Sequence, residues 1–188
     1  MKGAFMPAER VPELHTTEDY YNTPEGARIE LIHGVFYDMA TPSRIHQGLV
    51  MELSSTIREH IRKKGGDCKV YPAPFSVQLS ENDDTIVEPD VTVICDPKKL
   101  TDRGCLGAPD WIIEIISPSN ASHDYITKLN LYMNAGVREY WIIDPETETV
   151  AVYKKDNWAP KAYTFEDAVG PGIYDDLVID FSGIKDRI

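Results

Sequence analysis

The chain has 188 residues with 31 acidic and 19 basic side chains, which gives a formal net charge of −12 at pH 7. This length is enough for one domain with a substantial core, and the charged and apolar fractions are those of an ordinary folded protein. The negative charge argues against constitutive, tight, non-specific binding to nucleic acid, because such binding depends on phosphate neutralisation by lysine and arginine.

The cysteines and the N-terminus indicate an intracellular location. Cys68, Cys95 and Cys105 show no CxxC spacing, so neither a disulfide framework nor a zinc site is expected. The start, MKGAFMPAER, has no apolar targeting segment, and no run approaches the ~20 apolar residues of a membrane span. We therefore expect a soluble, cytoplasmic protein with no membrane partner.

The N-terminal third predicts a short helix from Thr16 to Tyr21 and then a β-hairpin. In this hairpin, RIELI and VFYDM flank a two-residue turn at His33-Gly34. Glu30 alternates with apolar neighbours on the first hairpin strand. This alternation indicates a carboxylate on the polar face of a half-buried strand.

A long helix is predicted from Ser43 to about Lys64. His46 falls inside its apolar stripe, where a histidine is more often a satisfied core residue than a ligand. Its place at the helix start, where a site could open, makes it a candidate functional residue. The basic residues near the helix end indicate either a solvated face or a phosphate-contacting patch. The stripe consists of Ile45, Leu49, Leu53, Ile57 and Ile61, widened by Val50, and the basic residues are Arg58, Arg62, Lys63 and Lys64.

Several strands are predicted beyond this helix. CKVY, FSVQL and VTVIC are strand-like segments separated by prolines and a polar loop, and VAVY is a later one. KKLTDRGCLGAP predicts an exposed loop. Residues 154–188 predict a small, peripheral C-terminal extension of a single domain that spans 1–188.

The stretch from Trp111 to Asp144 predicts a strand–helix–strand unit. WIIEIIS and YWIID are apolar on both faces, as strands of a parallel sheet covered by helices are. Apolar residues at helical spacing lie between them, and Gly136 is placed to end the helix. A parallel pair needs a crossover of this length, which is right-handed. The predicted class is therefore α/β with a mixed sheet.

Glu114 is the single charge within WIIEIIS. A carboxylate buried in an apolar strand costs several kcal/mol unless it is paired or bound to a metal. Two kinds of partner are available: a metal shared with other acids, or a lysine. Asp90 begins a neighbouring strand, and two acids from adjacent strands can share Mg²⁺, which would polarise a phosphoryl oxygen and supply hydroxide.

Lys128 is the candidate lysine. The strand climbs ~10 Å from Glu114 to Ser117, and the helix descends ~9 Å from Ser122 to Lys128, so Lys128 returns to the level of Glu114. The alternative is an ordinary pair between Asp124 and Lys128, worth only ~0.3–0.5 kcal/mol. We favour a role for Lys128 in the site, where it would position water or stabilise developing charge.

These motifs together resemble a known family. ELIHG, His46-Gln47, EPDVTVI, WIIEIISPSN, the spacing Asp124-x-x-x-Lys128-x-x-x-Tyr132 and GVREYWIIDP resemble the Uma family, which is classed with restriction endonucleases in the PD-(D/E)XK superfamily. The resemblance covers about Thr16 to Tyr153. It implies a restriction-endonuclease-like core, with a central mixed sheet flanked by helices and an N-terminal β-hairpin.

The resemblance also implies a chemistry and a set of residues. It implies that Asp90 and Glu114 bind Mg²⁺, with Mn²⁺ as a substitute, that the carbonyl of Ile115 is a third ligand, and that His46 and Glu30 belong to the site. The superfamily's lysine two residues after the acid is Ile116 here. In the Uma arrangement Lys128 replaces that lysine from the helix.

We expect a Mg²⁺-dependent endonuclease acting on DNA, in which the two acids hold the metal and Lys128 aids the attack by water. RNA or branched DNA are alternative substrates that the sequence does not separate from duplex DNA. From another functional class, the alternative is a non-catalytic binding or assembly module on a nuclease scaffold, which the acidic charge favours. A homodimer would suit the cutting of two strands.

Overall fold

The structure is a computed structural model that describes residues 13–82, 84–116 and 124–188. Its α-helices are α1 (Thr17–Tyr21), α2 (Arg44–Lys64), α3 (Leu129–Ala135) and α4 (Phe181–Lys185). A 3₁₀-helical turn spans Pro97–Lys99, and a π-helical turn (Asp124–Lys128) precedes α3. Its strands are β1 (Ile29–Ile32), β2 (Val35–Asp38), β3 (Lys69–Pro72), β4 (Val77–Gln78), β5 (Ile86–Val87), β6 (Val91–Ile94), β7 (Leu100–Thr101), β8 (Gly104–Leu106), β9 (Trp111–Ile115), β10 (Glu139–Asp144), β11 (Thr149–Lys154), β12 (Asn157–Thr164), β13 (Ala168–Val169) and β14 (Ile179–Asp180).

Within the described residues, the strands form two six-stranded sheets and one small pair. The main sheet has the order β12–β11–β10–β9–β6–β3, and the N-terminal sheet has the order β2–β1–β5–β4–β8–β7. Helix α2 and the C-terminal residues cover one face of the main sheet, and α3 and part of the N-terminal sheet cover the other. Both predicted features, a mixed sheet flanked by helices and an N-terminal hairpin, are confirmed.

The predicted strand–helix–strand unit is present. Strands β9 and β10 are parallel, with Ile113 opposite Trp141 in the register. Gly136 ends α3 with φ 89°, a left-handed conformation that favours glycine. Residues 117–123 of the predicted crossover lie outside the described part of the chain.

The long helix begins and ends as predicted. The Ser43 side chain accepts a hydrogen bond from the His46 N–H at 3.1 Å, and Gly65 closes the helix with φ 68°. The stripe is buried except at its first residue, because Ile45 is 42% exposed at the open end of the helix. No helix among the described residues is both long enough and apolar enough to cross a membrane.

Two predicted surface segments have more structure than expected. The segment predicted as an exposed loop contains the hairpin β7–β8, and β8 pairs with β4 in the N-terminal sheet. The C-terminal extension is not peripheral, because β12 extends the main sheet and six later apolar side chains enter its core. Those side chains are Phe165, Val169, Leu177, Ile179, Phe181 and Ile184.

The expectation that no disulfide forms is wrong. Cys68 and Cys95 are joined, and their Cα atoms are 3.8 Å apart. The antiparallel register pairs Lys69 with Ile94, so the next residues outward on β3 and β6 face each other. The pairing arises from this register, which no local spacing of cysteines reveals.

Candidate active site

A buried lysine lies between two buried carboxylates. Lys128 Nζ is 2.9 Å from Glu30 Oε1 and 3.1 Å from Glu114 Oε1. The three residues are only 3%, 5% and 5% exposed, respectively. Ionised groups so far from water need partners of opposite charge, and these three provide them to one another. Helix geometry predicted that Lys128 would reach the level of Glu114, and the structure places it there.

Glu30 enters this cluster from β1, so its predicted position on a polar face is wrong. Like Ile32 on the same face of the strand, it is buried, because the N-terminal sheet packs against α3 and the main sheet and leaves no solvent face there. Its Oε1 atom also accepts the backbone N–H of Glu88 at 2.9 Å. Glu30 therefore ties the N-terminal sheet to the segment that leads into Asp90.

Tyr132 completes the surroundings of Glu114. It lies one turn after Lys128, on the same face of the helix, and its hydroxyl donates to Glu114 Oε1 at 2.8 Å. Complete burial and the nearby charge of Glu114 raise the pKa of Tyr132 well above its usual value, so the hydroxyl keeps its proton and remains a donor. The sequence analysis did not place Tyr132 in the site, although the four-residue spacing from Lys128 was the signal.

Asp90 lies beside Glu114 at the end of the main sheet. Its Oδ2 atom accepts the backbone N–H of Ile115 at 2.7 Å. The register pairs Val91 with Ile113, so one further step places Asp90 across from Glu114. The N–H and C=O of one residue point to the same side of an extended strand, so the Ile115 carbonyl also faces the side of Asp90.

His46 reaches the same carboxylate from α2. Its Nε2 atom is 3.1 Å from Asp90 Oδ2, and the two side chains are 12% and 13% exposed. Among the described residues, His46 Nδ1 is buried without a hydrogen-bond partner. The arrangement is that of a histidine that holds a carboxylate in place from the first turn of a helix.

Glu88 is a further acid that the sequence analysis did not assign to the site. It is half-buried two residues before Asp90, and its Oε1 atom accepts the hydroxyl of Tyr20 at 2.8 Å. Burial raises the pKa of Glu88. Its place in the EPDV segment was a signal, but only the fold shows that it faces the same space as Asp90.

An open cleft of about 440 Å³ lies in front of these groups. Of the site residues, His46, Glu88 and Asp90 line the cleft, whereas Glu30, Glu114 and Lys128 are buried and are not part of its lining. The remaining lining residues are Gly26, Ala27, Arg28, Gln47, Val50, Ala73 and Pro74.

The residues present fit a hard divalent cation. Within the described chain, no three side chains of His, Cys, Asp or Glu come together as a metal-binding group. Mg²⁺ does not need such a group, since it binds one or two carboxylates and keeps several waters. Asp90 and Glu114 lie on adjacent strands, and their carboxylates and the carbonyl of Ile115 are oxygen donors of the type that Mg²⁺ prefers.

The fold has a solved counterpart. A crystal structure of "a putative nuclease belonging to DUF820" from Anabaena variabilis matches with a TM-score of 0.75 and 21% sequence identity, over 90% of this chain and 96% of that one. The chain thus has the fold of that nuclease-like protein.

The family follows from the sequence match. Residues 14–178 match the Uma2 family, described as "Putative restriction endonuclease", and the chain belongs to this family. An uncharacterized protein of Synechocystis sp. is 27% identical over 157 residues, which cover 82% of this chain and 80% of that protein. The predicted resemblance to the Uma family is confirmed.

Proposed function

We propose that this protein is a metal-dependent endonuclease that hydrolyses phosphodiester bonds in DNA. The observation that carries the proposal is the buried lysine between Glu30 and Glu114, with the carboxylate of Asp90 across the strand pair from Glu114. Membership in a family described as restriction endonucleases supports the same chemistry. A cleft in front of Asp90 provides a route for a substrate.

Asp90 and Glu114 would hold Mg²⁺ together with the carbonyl of Ile115, and Mn²⁺ would substitute for it. When bound, the ion would polarise a phosphoryl oxygen and lower the pKa of a water molecule. In their ionised forms, Glu30, Glu114 and Asp90 carry three negative charges against one on Lys128, and this excess of negative charge favours binding of a cation.

The protein's own residues would orient the reacting groups. Lys128 would offer its ammonium to the water or to the charge that develops on the phosphate, and Glu30 would keep that ammonium in place. His46 would hold Asp90 through the same Oδ2 atom that accepts the Ile115 N–H. Preorganised donors of this kind stabilise a transition state without rearranging during the reaction.

A non-catalytic binding or assembly module is the second candidate. One observation favours it: Lys128 is already paired with two carboxylates, so the buried cluster is complete as a structural element. The net charge of −12 also suits a partner other than nucleic acid. In this case the scaffold would keep its fold without metal-dependent chemistry.

Titration calorimetry with Mg²⁺ and Mn²⁺ on wild type and Glu114→Gln is the first test, followed by plasmid cleavage in the same ions. We expect binding and cleavage in wild type and their loss in Glu114→Gln and Asp90→Ala. Glu59→Gln, which changes an exposed acid paired with Lys63, is the matched control and should behave as wild type.

Absence of any metal-dependent cleavage of DNA or RNA by wild type would overturn the nuclease proposal and favour the binding module. Cleavage that survives in Asp90→Ala would contradict the assignment of the site. Cleavage restricted to RNA would correct the substrate alone. Because duplex cutting suits two symmetric sites, we propose a homodimer, which light scattering on the metal-loaded protein would test.

A further inference from the structure

Arg28 has a fixed backbone and an exposed side chain at the cleft. Its carbonyl accepts the Met39 N–H at 2.9 Å, which extends the β1–β2 hairpin by one pair. The turn before it is closed by the Ala27 N–H, which donates to the Pro24 carbonyl at 3.0 Å. The side chain is exposed, and the residue lines the cleft. Because the backbone is already anchored, only the side chain of Arg28 has to be ordered when the guanidinium binds a ligand.

The strand register directs Arg28 toward the site. Residues two apart on a strand leave it on the same face, about 6.6 Å apart, so Arg28 shares the face of Glu30. Glu30 points into the buried cluster, and Arg28 lies one step further toward solvent. The positive charge of Arg28 also acts on Glu88, which lines the cleft beside Asp90.

Arg28 offsets the negative charge of the acidic side chains that line the cleft. Glu88 and Asp90 would repel an approaching phosphodiester. Among the described residues lining the cleft, Arg28 alone carries a permanent positive charge. Lys128 is buried between two carboxylates and does not line the cleft, so its proposed role at the reacting phosphate does not extend to a phosphodiester that is still approaching from solvent.

The basic end of α2 is too distant to serve the same substrate contact. Lys63 lies seventeen residues after His46 along one helix, a separation of about 25 Å. Lys63 is paired with Glu59, and Lys64 is paired with Asp176. The alternative interpretation of this basic segment as a phosphate-contacting patch therefore receives no support from its position relative to the cleft.

We infer that Arg28 binds a backbone phosphate of the DNA strand that occupies the cleft. The inference rests on the proposed function for its substrate, but it concerns binding and not the chemical step. Guanidinium and phosphate match as a bidentate pair, which lysine cannot reproduce. The contact is to the backbone, so it carries no base preference.

Two measurements test this contact separately from the nuclease activity. The first is equilibrium binding of a fluorescein-labelled, mixed-sequence DNA duplex in Ca²⁺, as a function of salt. The second is steady-state cleavage of the same duplex in Mg²⁺. Both are made on wild type, Arg28→Ala, Arg28→Lys and Arg58→Ala, which removes one exposed charge from the far part of α2.

We expect Arg28→Ala to bind about tenfold more weakly, as the loss of one charge-assisted contact implies. The slope of log K against log salt concentration should decrease in magnitude by about one, because one phosphate fewer is neutralised. KM should rise by a similar factor with kcat within about twofold, and Arg28→Lys should recover only part of the loss. Arg58→Ala should match wild type.

The outcomes distinguish the two proposals. Binding that weakens in Arg28→Ala without any cleavage by wild type would overturn the nuclease proposal and leave the Arg28 contact standing. If wild type cleaves DNA and Arg28→Ala binds the duplex as tightly as wild type, the Arg28 contact alone is overturned. The same holds if wild type cleaves DNA and Arg28→Ala and Arg58→Ala lose the same amount of binding affinity. Neither binding nor cleavage by wild type would overturn both.

Discussion

Lys128 Nζ lies 2.9 Å from Glu30 Oε1, and this pair connects the two sheets of the molecule at the candidate site. Glu30 belongs to the N-terminal hairpin, whereas Lys128 precedes the helix packed against the main sheet. The same ammonium also holds Glu114. Formation of the site and docking of the N-terminal sheet are therefore one event, since each supplies a charge that the other requires.

Lys128→Met keeps most of the side-chain volume and removes the charge. Glu30 and Glu114 then remain buried side by side without a cation, which should lower the free energy of unfolding by about 3–5 kcal/mol. Urea denaturation measures the change. Lys63→Met is the control, because its exposed pair with Glu59 is worth less than about 1 kcal/mol.

A second variant separates charge burial from packing in this result. Adding Glu30→Gln to Lys128→Met removes one of the two unpaired carboxylates, so the double variant should be more stable than Lys128→Met alone. Equal stability of Lys128→Met and wild type would show that the lysine does not compensate for these carboxylates.

Tyr132→Phe removes a hydroxyl that donates to Glu114 Oε1 at 2.8 Å and keeps the ring. A hydrogen bond to a charged group contributes about 1.5–3 kcal/mol, so the free energy of unfolding should fall by that amount. Thermal or urea unfolding measures it. The half-buried Tyr163→Phe on β12 is the control and should change stability by less than about 1 kcal/mol.

In the nuclease proposal, Tyr132→Phe should also reduce kcat more than KM, because Glu114 loses orientation and not substrate contact. An unchanged kcat in a correctly folded Tyr132→Phe variant would show that Tyr132 serves the core alone. The comparison is made at a temperature where both proteins are fully folded.

Features that depend on neighbours in sequence were predictable. The caps of α2 depend on a local hydrogen bond at Ser43 and on the left-handed Gly65. The two-residue turn depends on positive φ angles at His33 (49°) and Gly34 (77°). The proximity of Lys128 and Glu114 followed from counting rise along a strand and a helix. These arguments need no knowledge of the tertiary fold.

Features that depend on the packing of distant segments were not predictable in the same way. Glu30 alternates with apolar residues as a solvent-facing residue would, and only the packing of the N-terminal sheet on the main sheet buries it. Glu88 and Tyr20 meet because α1 packs on the N-terminal sheet, where Tyr20 joins Leu31 and Ile86 in one apolar cluster. Alternation of apolar and polar residues along a strand does not show whether a second layer of the protein covers the polar face.

Glu139 should make stability depend on pH. It is 1% exposed, its Oε1 atom accepts the Trp141 indole N–H at 2.7 Å, and burial raises its pKa. Since the folded-state pKa exceeds the unfolded value of about 4.3, the folded state binds this proton more tightly. The contribution of Glu139 to stability is therefore greatest below the unfolded pKa and declines as pH rises through the folded pKa.

The measurement is the free energy of unfolding from pH 4 to pH 7 for wild type and Glu139→Gln. Wild type should lose stability relative to the variant as pH rises over this window. Only the pH-dependent part of the difference in unfolding free energy between the two proteins tests the prediction. The pH-independent part also reflects the hydrogen bond to Gly172, which glutamine changes. A difference independent of pH would contradict the prediction, and the exposed Glu146→Gln should show the slope of wild type.

Reduction of the Cys68–Cys95 disulfide should destabilise the fold without altering the site. The bond closes a segment with a sequence separation of 27, so its loss should lower the free energy of unfolding by about 3–4 kcal/mol, mainly by releasing the unfolded chain. Cys95 and Asp90 lie at opposite ends of β6, about 16 Å apart. Metal binding should therefore be unchanged below the melting temperature.

Urea unfolding with and without a thiol reductant measures the effect. The control is the double variant Cys68→Ala/Cys95→Ala, whose free energy of unfolding should be the same with and without the reductant. Burial raises the pKa of Cys105 to about 11, so its thiol stays protonated and does not exchange with the disulfide in the folded protein. Equal stability of the oxidised and reduced wild-type protein would show that the packing of β3 against β6 suffices without the bond. Weaker metal binding on reduction would show instead that the bond holds Asp90 through β6.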